Sequence, residues 1–328
     1  MEHYVSDFTR QLKEAINIGL KSTLIDCDKN IQNVVITGLG GSGISGKIVS
    51  QLVADSAKLP IYINNNYSLP GFVNQNTLVI ISSYSGNTEE TISAMKIAID
   101  KGAEVACITS GGAILDLAKK HQLNTIVIPG GHPPRTALAY SFTQQFFLLK
   151  HYGIISFDFK SHLSDAVILL DKELENIKEI AKNLANKLFQ KTAVIYSDAS
   201  YEGAAIRMRQ QLNENAKVLC WHHVLPEMNH NELVGWAGGD SNKAVIFLRN
   251  ESDYQRTQVR MKLSKEIISK HTSNISDVYS MGNSAIAKTL YLVNLGDWVS
   301  VYLAKLYQVD PIEVNVIGHL KSELGKVS

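Results

Sequence analysis

Five short apolar runs alternate with helical patterns along the first half of this chain, and that alternation restricts the fold more than any other feature. The runs cover residues 33–37, 60–63, 78–82, 104–109 and 125–128. Residues 44–53, 88–101, 113–121 and 136–152 carry apolar side chains at helical spacing. Strands this rich in Val and Ile, without polar alternation, are buried on both faces. Such strands, separated by helices, form a parallel sheet covered on both sides. Right-handed crossovers follow, and a five-stranded, flavodoxin-like order is expected.

Residues 161–188 are charged but helical in period, with Leu163, Val167, Leu170, Leu174, Ile177 and Ile180 apolar. This segment reads as a connector. Alternation then resumes, with strands at 192–196, 217–221, 244–248 and 277–280 and helices at 201–213, 253–271, 284–307 and 311–324. A length of 328 residues with 45% hydrophobic content suits two α/β cores. The expected boundaries are 1–155 for the first domain and 156–328 for the second.

A formal net charge of +1 argues against a nucleic-acid footprint or a polybasic membrane patch. No window of 18 apolar residues is present, and the polar start Met1-Glu2-His3-Tyr4 lacks the apolar core of a signal peptide. Cys27, Cys107 and Cys220 are odd in number and far apart, with Cys107 and Cys220 in apolar strand-like runs, so buried free thiols in a reducing cytoplasm are expected.

The stretch 82–91, SSYSGNTEET, follows the third strand and opens a helix. Free N–H groups and the positive dipole end favour an anion at a helix start. The hydroxyls of Ser83, Ser85 and Thr88 add three donors. The plainer reading is a strand–helix joint in which Ser85 or Thr88 caps the helix. Gly38-Leu39-Gly40-Gly41-Ser42-Gly43 follows the first strand and fits G-x-G-x-x-G. A dinucleotide site also needs an acidic residue after the second strand, where this chain reads Ile63-Asn64-Asn65-Asn66-Tyr67. No nicotinamide cofactor is expected. Gly40 and Gly41 instead allow close backbone approach to a smaller ligand, with Ser42 as a donor. Strands one and three flank the switch point of a flavodoxin-like sheet, so both turns meet one crevice.

Four residues elsewhere are candidates for chemistry. Arg135, held by Pro133 and Pro134, could steady an oxyanion or lie on the surface. Glu214 ends a helix, where the negative dipole end raises a carboxylate's proton affinity and suits a general base; a solvated glutamate is the alternative. His230 sits in the polar cluster Pro226-Glu227-Met228-Asn229-His230-Asn231-Glu232 and suits proton transfer. Lys321 falls off the stripe formed by Leu320 and Leu324, which are expected to face the core; on its own residues it reads as a solvated lysine. His222 and His223 point to opposite faces of a strand and make a poor chelating pair. His230-x-Glu232 matches the start of a zinc-deaminase signature, but no P-C-x-x-C follows and no H-E-x-x-H occurs, so no metal is expected.

Taken in order, GLGGSG, SYSGNTEET, PPRTA, LNENAK, PEMNHNE and IGHLKSEL resemble the bifunctional phosphoglucose/phosphomannose isomerase family, built from two SIS (sugar isomerase) domains. The resemblance implies two flavodoxin-like SIS domains, a hexose 6-phosphate substrate and no cofactor or metal. It implies that Ser83, Ser85 and Thr88 hold the phosphate, with Ser42 nearby. Glu214 becomes the base that moves a proton between C1 and C2, Arg135 the enediolate stabiliser, and His230 and Lys321 the ring-opening groups. It also implies a homodimer, in which the histidine comes from the neighbouring subunit. A sugar-phosphate-sensing SIS protein without catalysis is the alternative; it needs the serine cluster but not Glu214, His230 and Lys321 together.

Overall fold

The computed structural model describes residues 1–326. Strands β1 (Asn33–Thr37), β2 (Ile61–Asn64), β3 (Thr77–Ser83), β4 (Glu104–Thr109) and β5 (Asn124–Val127) form one parallel sheet in the order β2-β1-β3-β4-β5. This is the flavodoxin-like order expected. Strands β6 (Thr192–Asp198), β7 (Cys220–Leu225), β8 (Lys243–Arg249) and β9 (Ile275–Tyr279) form a second parallel sheet, ordered β7-β6-β8-β9. It repeats the first arrangement without a fifth strand.

Two helices absent from the expectations above precede the first sheet, α1 (Glu2–Ser6) and α2 (Phe8–Lys21). Phe8, Leu12 and Ala15 of α2 are buried, at spacings of four and three. Helices α3 (Gly40–Leu52), α4 (Glu89–Asp100), α5 (Gly112–Lys120) and α6 (Leu138–His151) cover the first sheet. The connector is α7 (Phe159–Leu188), capped by the Asp158 carboxylate. The second half of the chain also contains α8 (Glu202–Ala216), the one-turn α9 (Glu232–Gly235), α10 (Gln255–Ile268), α11 (Ala285–Tyr307) and α12 (Asn315–Leu324).

One core runs through both lobes. Ile36 and Ile80 of the first sheet and Ile195 and Ile246 of the second belong to it, joined by Phe142, Leu163, Met208, Leu290 and Trp298 from the intervening helices. Burial of each such side chain is worth roughly 1.5–3 kcal/mol. Parting the lobes exposes this shared layer to water, so apolar packing holds their relative position.

Three expectations fail. Of the cysteines only Cys107 is buried; Cys27, in a loop, and Cys220, at the start of β7, are partly exposed. Leu320 and Leu324 do not face the core: they are 58% and 41% exposed, and α12 buries none of its residues. Helical spacing marks an apolar face but not what covers it. Strand β7 begins at Cys220 rather than at 217, because Lys217 takes a left-handed backbone (φ +60°) that closes α8. Among the described residues no helix is long and apolar enough to cross a membrane.

Candidate active site

Strands β1 and β3 pair in parallel from Asn33 opposite Thr77 to Thr37 opposite Ile81. Their carboxyl ends therefore release the glycine-rich and serine-rich turns side by side. Ser42, in the first turn of α3, accepts a hydrogen bond at Oγ from the Tyr84 amide at 3.0 Å, which ties the two turns together. Gly41 faces a third turn, the 3-10 segment Pro134–Thr136. A Cβ on Gly41 would lie 2.9 Å from the Pro134 carbonyl oxygen, so glycine is what permits this approach. Gly40 begins α3 and lines an adjoining cleft of about 520 Å³ that also holds Lys47, Asn65, Glu202 and Arg209.

The serine-rich turn bends at Gly86, whose φ of +69° suits glycine; a Cβ there would meet the Gly111 carbonyl. Ser83 is buried and its Oγ donates to Thr88 Oγ1 at 3.1 Å. Thr88 occupies the N-cap position of α4, yet its side chain makes no capping bond. Ser85 is exposed, and its Oγ accepts from the Asn87 amide at 3.3 Å. The plain capping role is therefore not what these hydroxyls perform. They gather beside the first amides of α4, where the helix dipole favours an anion.

Arg135 projects from the third turn into the second lobe and is only 4% exposed. Its Nε donates to Asn215 Oδ1 at 2.8 Å, and its Nη2 donates to the carbonyls of Pro311 (2.6 Å) and Ile312 (3.1 Å). Its Nη1 stands 3.3 Å from Glu214 Oε2. Burial pushes the guanidinium pKa down from its ordinary value; Glu214 acts against that shift and Arg207 adds to it.

Glu214 lies in the last turn of α8, as the sequence suggested, but with a cation beside it. Its side chain is about one-third exposed and lines a groove of about 450 Å³ with Lys217, Leu219, Val314 and Val316. Glu202, Ile206, Gln210 and Glu214 recur every four residues and form one outward stripe of α8. The first three border the 520 Å³ cleft and the last borders the groove.

His230 and Lys321 stand apart. His230 closes the 3-10 turn Glu227–His230 beyond β7 and is exposed; Lys321 is exposed on α12. Neither lines the groove around Glu214. The segment carrying His230 is anchored by Glu232, which accepts from the Tyr196 hydroxyl and from Trp221 Nε1 at 3.0 Å and lies 2.7 Å from His223 Nδ1. His222 turns the other way, toward Arg209 and Glu202.

Sequence reasoning missed Asn215, Arg207 and Asp297. Arg207 (1% exposed) is paired with Asp297 and donates to the Arg135 carbonyl at 2.5 Å. A signal was available: Arg207, Gln211 and Asn215 recur every four residues along α8, a polar stripe beside the apolar Ala205, Met208 and Leu212.

A family model described as the SIS domain matches residues 29–154, and one described as the bacterial phospho-glucose isomerase C-terminal SIS domain matches residues 177–324. A bifunctional phosphoglucose/phosphomannose isomerase of Caldicellulosiruptor bescii is 39% identical, covering 98% of each chain. One of Aquifex aeolicus is 37% identical over 90% of this chain and 91% of its own. Among solved structures, the C-terminal domain of a glucosamine-fructose-6-phosphate aminotransferase from Francisella tularensis superposes with a TM-score of 0.76. It covers 95% of this chain and 98% of its own at 14% identity, a likeness of fold. The architecture is that of paired SIS domains. The chain belongs to the bifunctional phosphoglucose/phosphomannose isomerase family.

Proposed function

We propose that this protein is an aldose–ketose isomerase that interconverts glucose 6-phosphate and mannose 6-phosphate with fructose 6-phosphate. The single observation that carries the catalytic reading is the Arg135–Glu214 pair, a carboxylate and a guanidinium 3.3 Å apart at the junction of the lobes. A sensor needs only the serine cradle and has no use for a buried arginine set against a groove-lining carboxylate.

In this reading the phosphate is bound by the hydroxyls of Ser83, Ser85 and Thr88 and by the amides at the start of α4. Ser42 and the backbone of Gly40 and Gly41 line the approach. Anchoring the phosphate fixes the reacting carbons. The Glu214 carboxylate removes the C2 proton of the open-chain aldose, giving an enediolate whose negative oxygen faces Arg135. A proton passes from O2 to O1, and the same carboxyl returns its proton to C1, giving the ketose. Glucose and mannose phosphates differ only at C2 and share this enediol, so one carboxylate serves both. His230 and Lys321 assist ring opening.

Lys321 lies one helical turn beyond Ile317, which lines the Glu214 groove, so it projects near the mouth. His230 is supplied by a second copy in a homodimer. Supporting that arrangement, α12 leaves Val316, Leu320 and Leu324 uncovered. The three unpaired cysteines fit a reducing cytoplasm.

A coupled assay of the purified protein with both aldose phosphates tests the reaction; no turnover of either refutes it. Mixing inactive Glu214→Gln and His230→Ala protomers tests the shared site. Subunit exchange restores one intact site per mixed dimer, so activity reappears on mixing. A mixture as inactive as its parents contradicts a histidine supplied in trans.

A further inference from the structure

Three of the five N–H donors of Arg135 are committed within the chain. Nε is taken by Asn215 and Nη2 by the Pro311 and Ile312 carbonyls, while Nη1 stands 3.3 Å from Glu214 Oε2 as an ion pair. The Nη1 hydrogens are left for Glu214 and a ligand. Their direction is fixed only if the guanidinium plane is fixed, and the bonds at Nε and Nη2 fix it together; Asn215 is the one side chain among those acceptors.

That acceptor is itself locked. Asn215 is fully buried, and its Nδ2 donates to Ser300 Oγ at 2.9 Å. Ser300 Oγ donates in turn to the Asp297 carbonyl at 2.6 Å. The donor role of Nδ2 settles which face of the amide meets Arg135, because a flipped amide would set N–H against N–H. The Asp297 carboxylate accepts from Arg207 Nε and Nη2, at 3.1 and 3.0 Å, and Arg207 donates to the Arg135 carbonyl. The hydrogen bonds thus close a circuit, from the Arg135 side chain through Asn215, Ser300, Asp297 and Arg207 to its main chain. Every member is buried, and every member except Arg135 comes from α8 or α11 of the second lobe.

We propose that Asn215 is a positioning residue: by holding Arg135 Nε it orients the Nη1 donors toward the oxygen that becomes negative beside Glu214. This rests on the isomerase reading above for its catalytic consequence, but not for its geometry. An arginine left to rotate still binds an anion, so loss of the hold lowers turnover more than affinity.

The test uses the full-length protein with 15N-labelled arginine, the variants Asn215→Ala and Ser300→Ala, and Asn215→Asp as the rescue that keeps the acceptor; Asn215→Leu, which fills the site without an acceptor, replaces the alanine variant if that one does not fold. The Arg135 Nε–H resonance, assigned by its loss in Arg135→Lys, exchanges slowly with water in the parent protein. It exchanges at least about tenfold faster in Asn215→Ala and by a lesser factor in Ser300→Ala, while Asn215→Asp restores the protection. In the isomerase assay Asn215→Ala lowers kcat about tenfold or more and leaves KM within about threefold. Unchanged Nε–H exchange in Asn215→Ala overturns the hold, whether or not the protein isomerises sugars. Faster exchange with kcat within twofold of the parent overturns the positioning role. An inactive parent protein with a protected Nε–H refutes the isomerase reading and, with it, the catalytic consequence.

Discussion

Arg135 Nη1 of the first lobe lies 3.3 Å from Glu214 Oε2 of the second. Two residues almost eighty positions apart in sequence meet because the shared core holds α8 against α3, the helix that the glycine-rich turn opens. The pair has unequal surroundings: the arginine is sealed in, whereas the carboxylate reaches the groove. That asymmetry suits a fixed cation beside a base that must meet substrate.

The serine-rich turn predicts a binding defect. A hydrogen bond to a charged group is worth about 1.5–3 kcal/mol, so removing two hydroxyls in Ser85→Ala/Thr88→Ala raises KM for hexose 6-phosphates by at least about 150-fold. The change in kcat is smaller, since the phosphate is remote from the reacting carbons. Steady-state kinetics with all three sugars check this; an unchanged KM places the phosphate elsewhere.

The Arg207–Asp297 pair predicts a stability defect. Both side chains are sealed from water, and burial pushes the Asp297 carboxyl pKa up against the pull of Arg207. Breaking a buried pair by removing one partner costs about 3–5 kcal/mol, because the other charge stays buried alone. Urea unfolding of Asp297→Asn, which keeps the shape, should show most of that loss. A change below about 1 kcal/mol contradicts the account.

Acid should loosen the contact between α3 and α8. His222, 3.8 Å away, and Lys47 at 2.7 Å hold the Glu202 carboxyl down to about 2 against the cost of burial. A carboxylate lowered on folding contributes stability that is present above its unfolded value, near 4.5, and lost as pH falls toward 2. Solvent reaches the pair, so the contribution is about 1 kcal/mol. Thermal melts of the parent protein and Lys47→Met should therefore differ at pH 6 and converge by pH 2. A gap that persists at pH 2 assigns the Lys47 effect to something other than this pair.

The first sheet was legible because its strands are near-continuous Val and Ile runs, each followed by a turn that glycine or serine marks. The serine cluster, Arg135 and Glu214 were legible for the same reason: they sit at element ends. What sequence did not disclose depends on neighbours. Nothing local says that Leu320 and Leu324 lack a cover, or that Lys217 turns left-handed and delays β7. Asn215 looked like one more polar residue beside Glu214, because its meaning lies in Arg135 and Ser300, far away in the chain. His230 is legible as a candidate, but a single chain leaves it in solvent.

The most direct measurement follows the C2 hydrogen of glucose 6-phosphate by proton NMR in deuterated water with the parent protein and with Glu214→Gln. The parent should form fructose 6-phosphate with solvent deuterium at C1. Glu214→Gln should slow both conversion and exchange by about a thousandfold or more while still binding fructose 6-phosphate. Conversion by Glu214→Gln at more than a tenth of the parent rate would show that another group moves the proton.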